Sequence, residues 1–313
     1  HTTLWSESLC NVWPHAHAGW RNCARGLSVC HRHDHRLCID WFYSRNFDVY
    51  PALSTRVVNR STLPTMQAAR FLGHGRIEII TRDRPAARTG HVRLDVLACA
   101  LCGSELRVLK NGWPVTPGHE IAGRVNEPGH AAHGRRALAY IPVWCGHCPL
   151  CTAGDTHLCE NMGDLLGWQR DGGYADCVLV PEQCLLFLPD DIPDHLAPLL
   201  LDTIGTPAHG LRLAQRVTNH GPVAILGAGP IGLGAVLVAQ QLGFSEVHLG
   251  EPRAHRLQTG LSLGAHALAD NAAARFPIVL ESSGVDAARQ RALELTAPNG
   301  VCVFLGESDT WQI

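Results

Sequence analysis

At 313 residues with 46% hydrophobic side chains, the chain is long enough for about two domains of roughly 150 residues, each with a sizeable core. Charged residues make up 17% and the formal net charge is -2, so no global field recruits nucleic acid or an anionic membrane, and the expected partner is a small molecule. The thirteen cysteines are odd in number and scattered through a chain too long for a disulfide-stapled mini-domain, which points to a reducing, cytoplasmic setting.

Residues 1–65 hold six of the 19 histidines, four of the eight tryptophans and four cysteines, without a sustained period of 2 or 3.6. The run HRHDH at 31–35 reads as a polar tract rather than a metal site. No charged start, apolar core and small-residue cleavage site occur in signal-peptide order. The segment is left unassigned, disordered or extraneous to the fold.

From Met66 short β-rich runs appear, HVRLDVLA (91–98), EIAGRV (120–125) and YADCVLV (174–180), separated by Gly and Pro signals. They predict an irregular, mostly β domain. Within it Cys145, Cys148, Cys151 and Cys159 form C-x2-C-x2-C-x7-C in one glycine-bearing loop. Four closely spaced thiolates make a closed tetrahedral zinc shell, so this zinc is expected to be structural.

After about residue 203 strand and helix patterns alternate: PVAIL, a helix over 230–242, EVHLG, a helix over 253–263, a short third strand at 266–269, PIVLE, a helix near 286–296, then VCVFLG. That alternation predicts a parallel sheet covered by helices. The stretch 221–244 is the most membrane-like, but its regular glycines and Gln240–Gln241 suit a buried strand, turn and helix better. Gly227, Gly229 and Gly232 stand at G-x-G-x-x-G between strand and helix, where backbone amides and the helix dipole hold a pyrophosphate. Glu251, at the end of the next strand, is placed for the adenosine ribose hydroxyls and repels a 2'-phosphate. NAD is therefore expected over NADP, with Arg253 and Arg256 nearby keeping NADP open.

The quartet, CGSE (102–105), GHE (118–120) and the later glycine motif, in this order, resemble the medium-chain zinc-dependent alcohol dehydrogenases from Met66 to the end. The resemblance implies a GroES-like catalytic domain (66–203) followed by a Rossmann doubly wound parallel sheet (204–313), with the active site in the cleft between them. It implies a second, catalytic zinc held by Cys102, His119 and Asp202, with Glu120 a further candidate ligand, and two zinc ions per subunit. An acid at 202, seven residues before His209, places the chain in the polyol and threonine dehydrogenase-like branch. Three ligands leave a position open, where zinc lowers the pKa of an alcohol hydroxyl so that its carbon can pass hydride to nicotinamide. By the family pattern Ser104 takes the hydroxyl proton, Thr206 and Ile231 face the nicotinamide, Leu305 and Gly306 meet its carboxamide side, and Arg256 stands near the adenosine.

The sequence departs from the pattern at Arg107, where many relatives carry a relay histidine, and at Glu105, longer than the commoner aspartate. Histidine at position 1, the family pattern starting at Met66 and a strand count of five rather than six lead to the expectation of an extraneous start and an early stop, with poor solubility as a result. The implied activity is reversible oxidation of a secondary alcohol, polyol or amino alcohol by a dimer or tetramer. An NADPH-preferring carbonyl reductase and a non-catalytic zinc and dinucleotide-binding fragment are the alternatives.

Overall fold

The structure is a computed structural model describing residues 63–218, 221–269 and 274–308. Apart from Leu63 these fall in one compact unit, Pro64–Ile313. The readings made for residues 1–62, including HRHDH, lie outside the described residues.

The chain enters through an antiparallel hairpin, β1 (Thr65–Gly73) and β2 (Arg76–Asp83). A second, five-stranded antiparallel sheet follows, from β3 (His91–Ala100), β4 (Glu120–Val125), β5 (Arg136–Ala139), β6 (Cys177–Pro181) and β7 (Leu185–Phe187), in the order β6-β3-β4-β5-β7. Period-2 alternation turns Val92 and Leu94 of β3 inward onto Ile121, Val178 and Val180. Each such side chain contributes about 1.5–3 kcal/mol on full burial. Helix α1 (Glu105–Asn111) leaves the end of β3, and the short α2 (Pro149–Ala153) sits inside the cysteine loop.

The second half is a parallel sheet. Helix α3 (Asp202–Gln215) leads into β8 (Val223–Leu226), α4 (Pro230–Gln241), β9 (Val247–Gly250), α5 (Ala254–Ser262), β10 (His266–Ala267), β11 (Phe276–Glu281), α6 (Asp286–Leu295) and β12 (Thr296–Phe304). Strand order is β10-β9-β8-β11-β12, so the direction of winding reverses between β8 and β11, where such sheets open a ligand crevice. The core of this half includes Ile225, Leu249, Ile278 and Leu280, all fully buried.

Two sequence expectations shift. The run at 174–180 pairs as a strand only from Cys177, because Gly173 and Tyr174 donate their N–H groups to the carbonyls of Gly118 and Pro117 instead. The last strand starts at Thr296 rather than 301, since Thr296 already pairs with Phe276 before a register shift.

One contact fixes how α3 meets the helix after the glycine turn. Pro207, inside α3, has no N–H to offer the carbonyl of Thr203. That carbonyl faces Gly234 of α4, where an added Cβ would lie 1.8 Å from it. Only glycine permits this approach, and it holds the first turn of α3 against the helix that follows the dinucleotide loop.

Candidate active site and metal centres

Three separate segments converge on one cluster. Cys102 lies just past the end of β3, His119 immediately precedes β4 and Glu120 opens it, and Asp202 is the first residue of α3. One ligand atom from each of Cys102, His119, Glu120 and Asp202 lies within 4.8 Å of all the others. His119 Nε2 is 3.1 Å from Asp202 Oδ2, and both His119 and Glu120 are buried. Glu120 Oε2 is buried without a hydrogen-bond partner. A thiol, an imidazole and two carboxylates with an orphaned oxygen among them fit a zinc ion.

The protonation pattern agrees. Burial pushes the Glu120 carboxyl up to about 7, with the Asp202 charge adding to it. Burial alone would lower the His119 imidazole, but hydrogen bonds to Asp202, Cys102 and Glu105 outweigh it and push it up to about 12. At pH 7 the metal-free site thus holds a proton on His119, where a cation would otherwise balance the carboxylates. That stabilisation is full below the ordinary histidine value of 6.5 and is lost only as pH rises through about 12. Coordination needs neutral imidazole and thiolate, so zinc uptake must expel protons. We expect zinc added to metal-free protein at pH 7 in weak buffer to release at least about one proton per ion bound at this site, measured with a pH indicator, and affinity to fall as pH is lowered.

Behind the cluster stands a buried acid. Glu105 Oε1 is 3.0 Å from His119 Nδ1, the Cys102 N–H donates to Oε2 at 3.2 Å, and the Tyr174 hydroxyl donates to the same oxygen in a short contact. The carboxylate lies against the Nδ1 side of the imidazole, while Nε2 faces Asp202 and the cluster. The Trp168 ring lies 5.5 Å from that of His119, and the Arg107 guanidinium stands over Trp168 while pairing with Glu307 at 2.8 Å. Ser104 precedes α1, and its hydroxyl makes no capping bond.

The cysteine quartet forms the second cluster, again with ligand atoms within 4.8 Å of one another. All four thiols are free, so the sulfurs are not paired in disulfides. The N–H groups of Cys145, Cys148 and Cys151 point at the sulfurs of Cys159, Cys145 and Cys148, at 3.3, 3.4 and 3.5 Å. Backbone donors, that of His147 first, hold the Cys145 thiol down at about 6, close to the thiolate a metal requires.

In the parallel half Gly227 and Gly229 form the turn after β8, and Pro230 starts α4. A Cβ on Gly232 would lie 1.9 Å from the Gly227 carbonyl, so glycine is required for the helix to close on the turn. Glu251, just past β9, accepts from the N–H of Ala228 at 2.9 Å and of Arg253 at 3.0 Å. Arg256 lies in the first turn of α5, Thr206 one turn beyond Asp202 on α3, Ile231 in the first turn of α4, and Leu305 and Gly306 directly after β12.

The chain is 32% identical over 251 residues to the L-threonine 3-dehydrogenase of Aeromonas salmonicida, covering 72% of each chain. It belongs to the medium-chain zinc-dependent alcohol dehydrogenases. The alcohol dehydrogenase GroES-like domain family matches residues 88–190. Galactitol 1-phosphate 5-dehydrogenase of Escherichia coli K12 is 30% identical over 236 residues, 69% of this chain and 67% of that one. Among solved structures, a zinc-binding dehydrogenase of Sinorhizobium meliloti bound to NADP superposes with a TM-score of 0.70 at 28% identity, covering 80% of each chain. The chain is thus a zinc-dependent alcohol oxidoreductase, with the GroES-like and Rossmann-like halves of that family.

Sequence reasoning noticed Glu105 as a departure but gave it no contact with His119. Tyr174 figures there only as the start of a β-rich run and Trp168 not at all, because both arrive from a loop far along the chain and no spacing links them to GHE. Among the described residues no helix is long and apolar enough to cross a membrane.

Proposed function

We propose that the chain oxidises a secondary alcohol, polyol or amino alcohol reversibly with NAD, using a catalytic zinc held by Cys102, His119 and Asp202 with Glu120 beside them. The observation that carries this reading is the convergence of those four side chains at the first turn of α3, which packs on the helix opening the dinucleotide loop. Zinc there supplies a Lewis acid that lowers the pKa of the substrate hydroxyl, and NAD supplies the hydride acceptor.

The chain's own residues do the rest. Glu105, held by Tyr174, keeps the His119 ring in one tautomer and orientation. Ser104 takes the hydroxyl proton, as in the family pattern. Arg107 offers only N–H donors, one of them paired with Glu307, and has no acceptor for that proton, so the proton leaves through water rather than through a relay histidine. Trp168 covers one side of His119 and limits solvent there. The quartet holds a separate structural zinc. Acid at Asp202 and the threonine and galactitol-phosphate dehydrogenases among the relatives favour polyol or amino-alcohol substrates. A panel of such alcohols, run with NAD and NADP on zinc-loaded protein, tests the reading; no turnover with any of them would sink it.

NADP is the second reading, supported by Arg253 and Arg256 beside Glu251 and by the NADP-bound relative. Glu251 decides between them. Its carboxylate caps the Ala228 and Arg253 N–H groups where the adenosine ribose is expected, and a 2'-phosphate would meet that charge. Glu251→Ala is expected to raise KM for NAD roughly tenfold while improving use of NADP, the ratio of the two kcat/KM values reporting the change. Equal use of both cofactors by the starting protein would remove the premise.

A further inference from the structure

Helix α6 carries a residue its pattern does not call for. Ala288, Ala292 and Leu295 turn toward the sheet and pack with Phe276, Val279 and Leu226. Arg289 shares that inward face, and its side chain is fully buried, as is that of Glu281 at the end of β11. An apolar side chain would continue the stripe, and a buried ion pair is seldom more stabilising than well-packed hydrocarbon. The pair therefore calls for an explanation other than stability.

The contacts supply one. Arg289 Nη2 donates to the Gly306 carbonyl at 2.9 Å, Nη1 to Asp286 at 3.2 Å, and Nε stands 4.0 Å from Glu281 Oε2. Glu281 Oε1 accepts from the Ser283 N–H at 2.7 Å, the Gly284 N–H at 3.0 Å and the Ser283 hydroxyl. The Glu281 carbonyl takes the N–H of Leu305 at 2.7 Å and of Gly306 at 3.2 Å. Next along, the Ser282 hydroxyl lies 3.0 and 3.2 Å from the carbonyls of Leu226 and Gly227. Three loops at the carboxyl ends of β8, β11 and β12 are thus tied into one rim, and the outermost is held at Gly306 from two sides, its N–H by the Glu281 carbonyl and its own carbonyl by Arg289.

We propose that Arg289, braced by Glu281, is a positioning residue that sets the Leu305–Gly306 loop against the nicotinamide end of the dinucleotide, while the adenosine end is held independently by Gly227–Gly232 and Glu251. This rests on the dinucleotide reading of the site above. Arg289 touches no cofactor atom; it acts through the Gly306 carbonyl. Loss of the guanidinium frees that carbonyl and lets the loop move, which weakens contacts to nicotinamide and leaves those to adenosine diphosphate ribose intact.

The test compares NAD with ADP-ribose, which lacks only the nicotinamide, by calorimetric titration of zinc-loaded starting protein, Arg289→Met and Arg289→Lys, with zinc content and thermal melting confirming the fold. Arg289→Met is expected to raise Kd for NAD roughly tenfold while Kd for ADP-ribose stays within about twofold. Lysine supplies a compact cation without the planar fork that spans Gly306 and Asp286, and is expected to fall between. Should the methionine variant not fold, the lysine variant carries the same comparison. Parallel loss of both ligands would mark a merely structural role, and no loss of either would show the loop is set by other contacts; each overturns the proposal alone. Starting protein that binds neither ligand overturns the dinucleotide reading and the proposal with it.

Discussion

Cys102→Ser is expected to lower kcat/KM at least about a thousandfold, with little change in melting temperature and with zinc retained at the cysteine quartet. The size follows from what the cluster supplies. Lewis-acid stabilisation of developing charge is worth several kcal/mol, and each 1.36 kcal/mol is a factor of ten in rate. Serine offers a neutral hydroxyl where zinc needs thiolate, and the remaining His119, Glu120 and Asp202 lack the soft sulfur donor and bind zinc more weakly. The fold should tolerate the change because Cys102 sits in the turn between β3 and α1, outside the principal cores, which centre on Val92, Leu94 and Ile121 in one half and Ile225 and Ile278 in the other. Zinc analysis beside steady-state kinetics checks it. Near-full turnover with one zinc fewer would show that this cluster is not where the chemistry occurs.

The parts of the site that could be read from sequence are those in which function is written over a short span. The quartet occupies 15 consecutive positions, Cys145 to Cys159, and the structure brings its sulfurs together with backbone N–H groups already aimed at them. The glycine turn is similarly local, since Gly227 and Gly232 touch each other. Asp202 is different. It lies 83 residues from His119, and only the family pattern, not any periodicity, pairs them. Tyr174 opens a β-rich run, yet its backbone N–H goes to Pro117 and its hydroxyl to Glu105. Tertiary hydrogen bonding overrode a β-rich local signal there. Strand β2 carries the alternation Arg76-Ile77-Glu78-Ile79 that marks a strand, although in the fold both isoleucines are exposed. Arg289 left a trace in the sequence, a charge at an apolar position of α6, but its meaning needed the Gly306 carbonyl beside it.

Replacing Cys151 with serine should produce the opposite pattern to Cys102→Ser: one zinc fewer, a melting temperature lower by roughly 10 °C, and turnover per folded molecule at low temperature reduced only a few-fold. The lobe around the quartet has little else to hold it. Helix α2 is five residues long with none of them buried, and Leu158 is 55% exposed. Its order comes from the thiols and the N–H groups that bond them, so metal binding there is folding energy. A structural zinc contributes about 10–16 kcal/mol in small isolated domains, and loss of one of four thiolates forfeits a part of it, of order 3–5 kcal/mol. At roughly 2–4 °C per kcal/mol for a chain of this size, that is about 10 °C. The few-fold loss of turnover has its own route. His157 of the lobe packs edge-on against His209 of α3, ring centroids 4.7 Å apart, and α3 begins at Asp202. A loosened lobe therefore relaxes the helix that presents Asp202 to the Cys102–His119 cluster, without removing any side chain from it. Differential scanning calorimetry with zinc analysis and kinetics at 15 °C and 40 °C reads both effects, the rate deficit growing sharply with temperature. An unchanged melting temperature with two zinc ions bound would show that three cysteines suffice and that the lobe is held by its backbone; a collapse of turnover at 15 °C as deep as that of Cys102→Ser would show that the quartet, too, takes part in the chemistry.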